Sequence, residues 1–274
     1  MERTAVGGVK GSTSAPEVAE LLDGMPRQRG PLGAATVLAP PPLPPVLTEA
    51  ATSRAAASGT RAFRPWRLLP TPTGTPFTFG YAAVLVVTSL ITTYADPDLV
   101  HALHQGSSTD VAHLVRTPVL VLLASALWVA GEFLGSYTLG FLLVLTALER
   151  RIGGARTAVV FLGGHVLATL ATEVPVGLAV LVGHLPDSSL HRLDYGISFG
   201  VAAGTGALAG LLRPWLRWPL LVLFGGMLVV DLLNFADPLT NWGHLISLVI
   251  GIAMWPLVRR WRAAHTRQGS VGPG

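Results

Sequence analysis

From residue 77 onward the sequence consists almost entirely of long apolar stretches separated by short polar breaks. A helix needs roughly 20 mostly apolar residues to cross the hydrocarbon core of a bilayer, and six stretches reach or approach that length. Half of all residues are hydrophobic and only 12% are charged, which is more apolar than a soluble domain needs. The sequence therefore predicts an all-α polytopic membrane protein with six transmembrane helices, at 77–95, 118–147, 156–183, 195–212, 217–236 and 241–258.

The basic residues predict how these helices are oriented. Of the 19 Lys and Arg residues, only Arg116 and Arg192 fall in the loops at one end of the predicted bundle. The others lie before the first helix, in the turns at 148–156 and 213–217, or after residue 258. Because cytoplasmic loops carry the excess of Lys and Arg, we expect both termini in the cytoplasm and the protein in the plasma membrane.

The two ends of the chain differ in composition from the apolar part. Residues 1–75 are rich in Ala, Pro, Gly, Ser and Thr and show no periodicity, so a disordered cytoplasmic tail is predicted there. This segment lacks the short apolar core of a signal peptide, which makes the helix at 77–95 the expected first insertion signal. The domain prediction is then a tail at 1–75, a membrane domain at 76–258, and a basic cytoplasmic tail at 259–274.

Composition also limits the chemistry. The absence of cysteine excludes a disulfide framework, an iron–sulfur cluster, a zinc–thiolate site and a cysteine nucleophile. The pI near 10.1 comes from basic residues that flank apolar segments, which is typical of a topology signal and not of nucleic-acid binding. No cofactor, metal or nucleic-acid partner is expected. The lipid bilayer is an expected partner.

A few polar residues fall within the predicted spans. Charged or strongly polar side chains cost several kcal/mol at the bilayer centre, so each is a candidate for function. Spans 4 and 6 contain small residues that suit close helix packing, and Ser198 and His244 lie at similar depth near their outer ends. They form either a serine–base pair or a packing serine and an unrelated histidine. The set comprises Glu132, His165, Glu173, Ser198, Asp231, Asn234 and His244.

Three short motifs, in this order, resemble the signatures of the rhomboid family of intramembrane serine proteases and their inactive relatives. Residues 149–153 read Glu-Arg-Arg-Ile-Gly, residues 196–198 read Gly-Ile-Ser, and residues 243–251 read Gly-His-Leu-Ile-Ser-Leu-Val-Ile-Gly. The resemblance covers about 77–258 and implies a six-helix rhomboid-like bundle. It also implies a catalytic dyad of Ser198 and His244 that cuts single-span membrane proteins without a cofactor. Glu149 and Arg150 are expected to hold the turn after helix 2.

The sequence departs from the rhomboid pattern at several positions. Phe199 stands where the family keeps a glycine beside the serine, and Ser247 replaces a glycine of helix 6. The helix 2 segment that supplies a histidine and an asparagine to the oxyanion in the family reads Glu-Phe-Leu-Gly-Ser-Tyr-Thr at 132–138. Losing one oxyanion donor costs about 2.7–4 kcal/mol in the barrier. A protonated Glu132, Ser136, Tyr137 and the N–H groups at the start of span 4 are the substitutes considered.

Three functions follow from these observations. The first is an intramembrane serine endopeptidase, and the second is a catalytically inactive rhomboid-fold protein that binds transmembrane helices, favoured by the missing helix 2 donors. The third is a transporter or metal-handling protein that uses Glu132, His165, Glu173 and Asp231 as a polar path. Asp194, four residues before the serine, is expected to cap span 4, with orientation of His244 as the alternative.

Overall fold

A computed structural model describes residues 68–131, 135–235 and 237–270, and every regular element in these ranges is helical. The all-α prediction is therefore confirmed. Most of the predicted N-terminal tail, residues 1–67, lies outside the described ranges. Its last part, residues 68–75, forms turns in which the Thr75 N–H donates to the Thr71 carbonyl and the Thr71 N–H donates to the Thr75 hydroxyl.

The first helix, α1 (Pro76–Tyr94), matches the predicted span at 77–95. It begins with a proline, whose missing N–H costs nothing in the first turn. The Glu149 carboxylate accepts the N–H groups of Phe77 and Thr78, at 2.9 and 2.8 Å, and the Thr78 hydroxyl at 2.6 Å. A carboxylate at a helix N-terminus is favourable because the unpaired N–H groups are positive. Glu149 thus joins the end of the second helical region to the start of α1.

The predicted second span at 118–147 is wrong as one continuous helix. After α1 the chain forms three short helices, α2 (Pro97–Gly106), α3 (Val111–Arg116) and α4 (Pro118–Ala124). A 3₁₀ turn at Ser125–Leu127 extends α4, and the helical structure is interrupted after it. Trp128 then has extended backbone angles, and Gly131 has a φ of +82°, a left-handed value that favours glycine. Apolar content alone does not reveal such a break.

The chain becomes helical again in a segment that we call the second spanning region. It comprises α5 (Ser136–Gly140), a π-helical turn (Phe141–Leu145) and α6 (Thr146–Ile152). Gly153, with a φ of +86°, ends it, and α7 (Gly154–Leu181) follows directly. After a loop with a 3₁₀ turn at Asp187–His191 come α8 (Ser198–Ala209), α9 (Pro214–Leu233), α10 (Pro238–Ala253) and α11 (Trp255–Ser270).

Three of these helices, α1, α7 and α9, are each long and apolar enough to cross a bilayer. The α10 and α11 helices meet at a 50° bend and together qualify as a fourth. The predicted sixth span at 241–258 crosses this bend, and residues 259–270, predicted to be a tail, are helical. Two shorter apolar helices, Pro118–Leu127 and Ser198–Ala209, complete the set in the described ranges. The molecule is an integral membrane protein.

The short helix α8 forms the centre of the bundle. All of its residues from Phe199 to Ala209 are buried, and it packs most extensively against α10 and α7. A side chain added at Gly206 would meet the α10 backbone at Leu248, and one added at Gly251 would meet the α8 backbone at Ala203. The prediction that each of these helices suits close packing is confirmed, and the structure shows that they pack against each other. By contrast, α9 has a single buried residue, Leu228.

Candidate active site

Ser198 is the first residue of α8 and is half-buried. A helix of 12 residues is about 18 Å long, well short of a hydrocarbon core of roughly 30 Å. No side chain caps α8, because its N-cap residue is Ile197. The first N–H groups of a helix have no partner within it, so the start of α8 presents unpaired donors beside the serine hydroxyl. Such a helix end is suited to stabilise negative charge.

His244 lies on α10 with only 5% of its surface exposed. The Tyr137 ring of α5 stacks on the imidazole with the centroids 5.1 Å apart, and its hydroxyl oxygen lies 3.3 Å from Nδ1. The Phe199 ring contacts the imidazole edge-on, with a centroid distance of 5.3 Å. The other ring nitrogen, Nε2, is buried and has no hydrogen-bond partner in the described part of the chain.

Ser198 and His244 line the same cavity, which has a volume of about 320 Å³. Its wall includes groups from α5, the loop before α8, and the start of α10, among them Tyr137, Asp194 and Asp237. Within the described ranges no hydrogen bond joins Ser198 to His244. The two predicted residues are therefore brought to one cavity without being bonded, and their catalytic role remains a prediction.

The two departures from the rhomboid pattern beside the site are linked to each other. The Phe199 side chain is buried between α8 and α10, where a side chain at Gly243 would collide with its ring. The Ser247 hydroxyl donates a hydrogen bond to the Phe199 carbonyl. The Phe199 ring and the Ser247 hydroxyl thus both form contacts between α8 and α10, next to His244.

Of the candidate side chains that could replace the helix 2 donors, the structure places Tyr137 on the cavity. Ser136 lines a different cleft, of about 350 Å³, between the second spanning region and α9. Tyr137 lines this cleft too, so it separates the cleft from the cavity. Glu132 lies outside the described residues.

Asp194 does not cap α8, so that prediction is wrong. Its carboxylate accepts from the Thr109 hydroxyl at 3.4 Å and pairs with Arg192 at 3.4 Å, while its N–H donates to the Ser108 hydroxyl. These contacts hold the loop before α8 against the segment between α2 and α3. Burial raises the pKa of Asp194, and the nearby Arg192 opposes that shift. The alternative role is also absent, since no hydrogen bond connects Asp194 to His244 among the described residues.

Arg192 is a residue beside the site whose contacts the sequence does not predict, since its position there indicates only membrane topology. Its guanidinium contacts Glu173 at 2.5 Å and Asp237 at 3.6 Å, and it donates to the Thr240 hydroxyl at 2.9 Å. It therefore joins α7, the loop before α8 and the start of α10, and it contacts Asp194, Asp237 and Thr240, which line the cavity. A signal existed: Glu173 within a span requires a cation, and the loops on that side contain only two.

The other polar residues that the structure describes within the spans lie in separate surroundings. His165 is bonded to Ser125 through Nε2 at 2.9 Å, and both are buried. Asp231 is half-buried, and Asn234 is exposed at the end of α9. In the described ranges no group of three or more His, Asp or Glu side chains could hold a metal ion. These positions give no support to the transporter or metal-handling function.

Comparison with known proteins bears on the family. A family model described as "Rhomboid-like protein" matches residues 73–264, which is well over half of the chain. The match includes Glu149, Arg150, Ser198 and His244. No curated protein and no solved structure matches the sequence. The order of the motifs, the small-residue contact between α8 and α10 and the family match agree, and the chain belongs to the family of rhomboid-like proteins.

Proposed function

We propose that this protein is an intramembrane serine endopeptidase with Ser198 as nucleophile and His244 as general base. The observation that carries the proposal is the unpartnered Nε2 of His244, on the cavity that Ser198 also lines. A buried nitrogen without a partner is costly, and in the proposed dyad the serine hydroxyl on the same cavity is its partner. The substrates are single-span membrane proteins.

Tyr137 has the role of positioning the base. A general base at Nε2 requires that the ring proton be on Nδ1, and an Nδ1–H that donates to the Tyr137 oxygen at 3.3 Å fixes this tautomer. Nε2 then takes the proton of the Ser198 hydroxyl as Oγ attacks the scissile carbonyl. The imidazolium returns that proton to the leaving amine, and water hydrolyses the acyl-enzyme by the same steps.

The oxyanion is stabilised by the start of α8 in this proposal. The N–H groups of the first turn have no side-chain cap and lie beside the nucleophile. The helix dipole adds a favourable potential for negative charge. Because the family's histidine and asparagine donors are missing from helix 2, we expect turnover slower than that of a rhomboid protease that retains them.

Substrates reach the cavity through the cleft between the second spanning region and α9. This cleft is lined almost entirely by apolar groups, including Leu143, Leu220, Phe224 and Met227. The α9 helix is held by few buried contacts, so it can move aside at low cost. A transmembrane helix that enters from the bilayer would meet Tyr137 first and the Ser198 cavity next.

The proposed topology is a six-helix bundle with both termini in the cytoplasm of the plasma membrane. The crossing elements are α1, the second spanning region, α7, α8, α9 and α10. Residues 118–127 belong in this arrangement to the outer loop region. The excess of arginine at the ends of α6, α9 and α11 supports the orientation.

An inactive client-binding protein is the second candidate, and one observation favours it. No hydrogen bond joins Ser198 to His244 in the described ranges, while Tyr137 and Phe199 already enclose the imidazole. In this case the cavity binds segments of transmembrane helices without cutting them, and the cleft beside α9 is the docking surface.

The two candidates are separated by labelling the purified full-length chain, in detergent and in lipid, with a fluorophosphonate probe. The protease proposal expects labelling that is lost in Ser198→Ala and His244→Ala and kept in Ser125→Ala. Labelling that is absent from the wild type, or insensitive to both substitutions, would refute it. Co-purification of single-span proteins with the wild type and with Ser198→Ala alike would then support the inactive candidate.

A further inference from the structure

Three arginines converge at the end of the bundle opposite the Ser198 cavity. Arg217 from α9 and Arg259 and Arg262 from α11 line a cleft of about 480 Å³, together with the Leu211–Leu212 turn. No Asp or Glu occurs in residues 195–230 or 238–274, which include every element of this cleft. The local charge is therefore strongly positive, and none of the three arginines forms an ion pair within the described ranges.

The guanidinium groups are held in fixed positions. Trp255 donates from its indole N–H to the Gly206 carbonyl, and Arg217 and Arg259 lie over its ring at 5.0 and 5.3 Å. Each cation also donates to carbonyls at the end of α8: Arg217 to Ala209, Gly210 and Leu212, Arg259 to Gly210, and Arg262 to Leu211. The cleft is thus organised before any ligand binds.

Capping of α8 does not account for all three cations. Arg217 alone reaches three carbonyls of the terminal turn, whereas Arg259 and Arg262 each donate once. A guanidinium has five N–H donors, so most donors of the last two residues have no acceptor in the described chain. Planar donors of this kind match the oxygen atoms of a phosphate, which can accept two parallel hydrogen bonds from each arginine.

The surroundings of the cleft indicate that a lipid supplies the phosphate. Exposed Trp215 and Trp218 lie at the start of α9, and tryptophan is enriched at the level of the lipid headgroups. Leu211, Leu212 and Ala263 add an apolar wall. We propose that this cleft binds the phosphodiester headgroup of an anionic phospholipid in the leaflet on its side of the membrane, through Arg259 and Arg262 above all.

The test is native mass spectrometry of the full-length chain in detergent with phosphatidylglycerol or phosphatidylcholine added. We expect retention of phosphatidylglycerol over phosphatidylcholine, and retention about tenfold weaker in Arg259→Gln/Arg262→Gln. The matched control, Arg213→Gln/Arg260→Gln, removes two positive charges that do not line the cleft, and it should bind as the wild type does. Equal retention of both lipids, or equal weakening in the control, would overturn the proposal.

Two further experiments test the site with the arginine contacts left intact and test whether the phosphate belongs to a lipid. Ala263→Glu places a carboxylate in the cleft without removing an arginine contact, and it should weaken binding, whereas Ala263→Gln should not. Equal binding by these two variants would overturn the site. Glycerol phosphate, which has no acyl chains, should not displace the lipid at millimolar concentration. Displacement would overturn the lipid assignment and identify a soluble phosphate ester as the ligand.

Discussion

The molecule contains two pairs of serine and histidine that differ in almost every physical respect. Ser125 and His165 are hydrogen-bonded at 2.9 Å and are 0% and 2% exposed, and they join the 3₁₀ turn after α4 to α7. Ser198 and His244 are not bonded to each other but line an open cavity. In the described structure the Ser125–His165 pair has the hydrogen bond of a catalytic dyad but no opening through which a substrate could reach it. The Ser198–His244 pair lines such an opening but has no hydrogen bond between its members there.

The difference shows that a short serine–histidine distance does not by itself indicate a catalytic dyad. A buried polar pair satisfies its own hydrogen-bonding groups, which is a sufficient reason for its existence. The pair on the cavity leaves Nε2 of His244 unsatisfied, which is expensive unless a substrate or a moved hydroxyl completes it. The proposed catalytic dyad is therefore the less well-bonded pair.

The largest expected effect is on catalysis. Ser198→Ala should lower the rate of cleavage of a single-span substrate in proteoliposomes by about 10³-fold or more, because the nucleophile is lost. Ser125→Ala should change the rate by less than about threefold once protein is matched for folded content, since Ser125 does not line the cavity. Loss of cleavage in Ser125→Ala, with cleavage intact in Ser198→Ala, would show that the buried pair is the catalytic one.

The next effect concerns the ion pair between Glu173 and Arg192, beside the cavity. Glu173→Ala removes the ion pair with Arg192, and the free energy of unfolding should fall by about 2 kcal/mol, because Arg192 keeps its contacts to Asp194 and Asp237. Glu173→Gln, which still accepts a hydrogen bond, should lose less. Unfolding in mixed micelles measures both variants. Equal losses would show that charge, and not hydrogen bonding, carries this contact.

The features that could be predicted from the sequence are those set by composition and by short motifs. Apolar length predicted α1, α7 and α9 to within a few residues, and small residues predicted that α8 and α10 pack closely against neighbouring helices. The motifs identified Ser198 and His244, which the structure brings to one cavity. Each of these features depends on a local property of the sequence, such as apolar length or the presence of small residues.

The features that could not be predicted depend on partners distant in sequence. Whether residues 118–147 form one helix depends on backbone angles at Trp128 and Gly131, which apolar content does not report. The bonds of Asp194 to Thr109 and Arg192 depend on how a loop folds back on the segment after α2. A carboxylate just before a helix suggests an N-cap, but the Asp194 carboxylate instead contacts Thr109 and Arg192.

The stability of the buried pair is a smaller effect with a clear control. Ser125→Ala leaves Nε2 of His165 without a partner, and the free energy of unfolding should fall by about 1–2 kcal/mol. Ser198→Ala should change it by less than about 0.5 kcal/mol, because no hydrogen bond to the Ser198 hydroxyl is present in the described structure. A larger loss from Ser198→Ala would indicate that its hydroxyl is already bonded and that the comparison is false.

The smallest expected effect involves a third histidine, outside the spans. His104 on α2 stacks on Tyr195, contacts Trp128 edge-on and has a buried Nε2 without a partner in the described chain. Burial and the nearby His101 lower the pKa of His104 from its usual 6.5. A lowered pKa means that the folded state favours neutral imidazole, so this contribution to stability is present above pH 6.5 and is lost as the pH falls below it. Unfolding measured between pH 7.5 and pH 5 should therefore show a loss that His104→Phe reduces. The Ser125–His165 contact provides the reference, because a Ser125→Ala background should leave the His104 contribution unchanged.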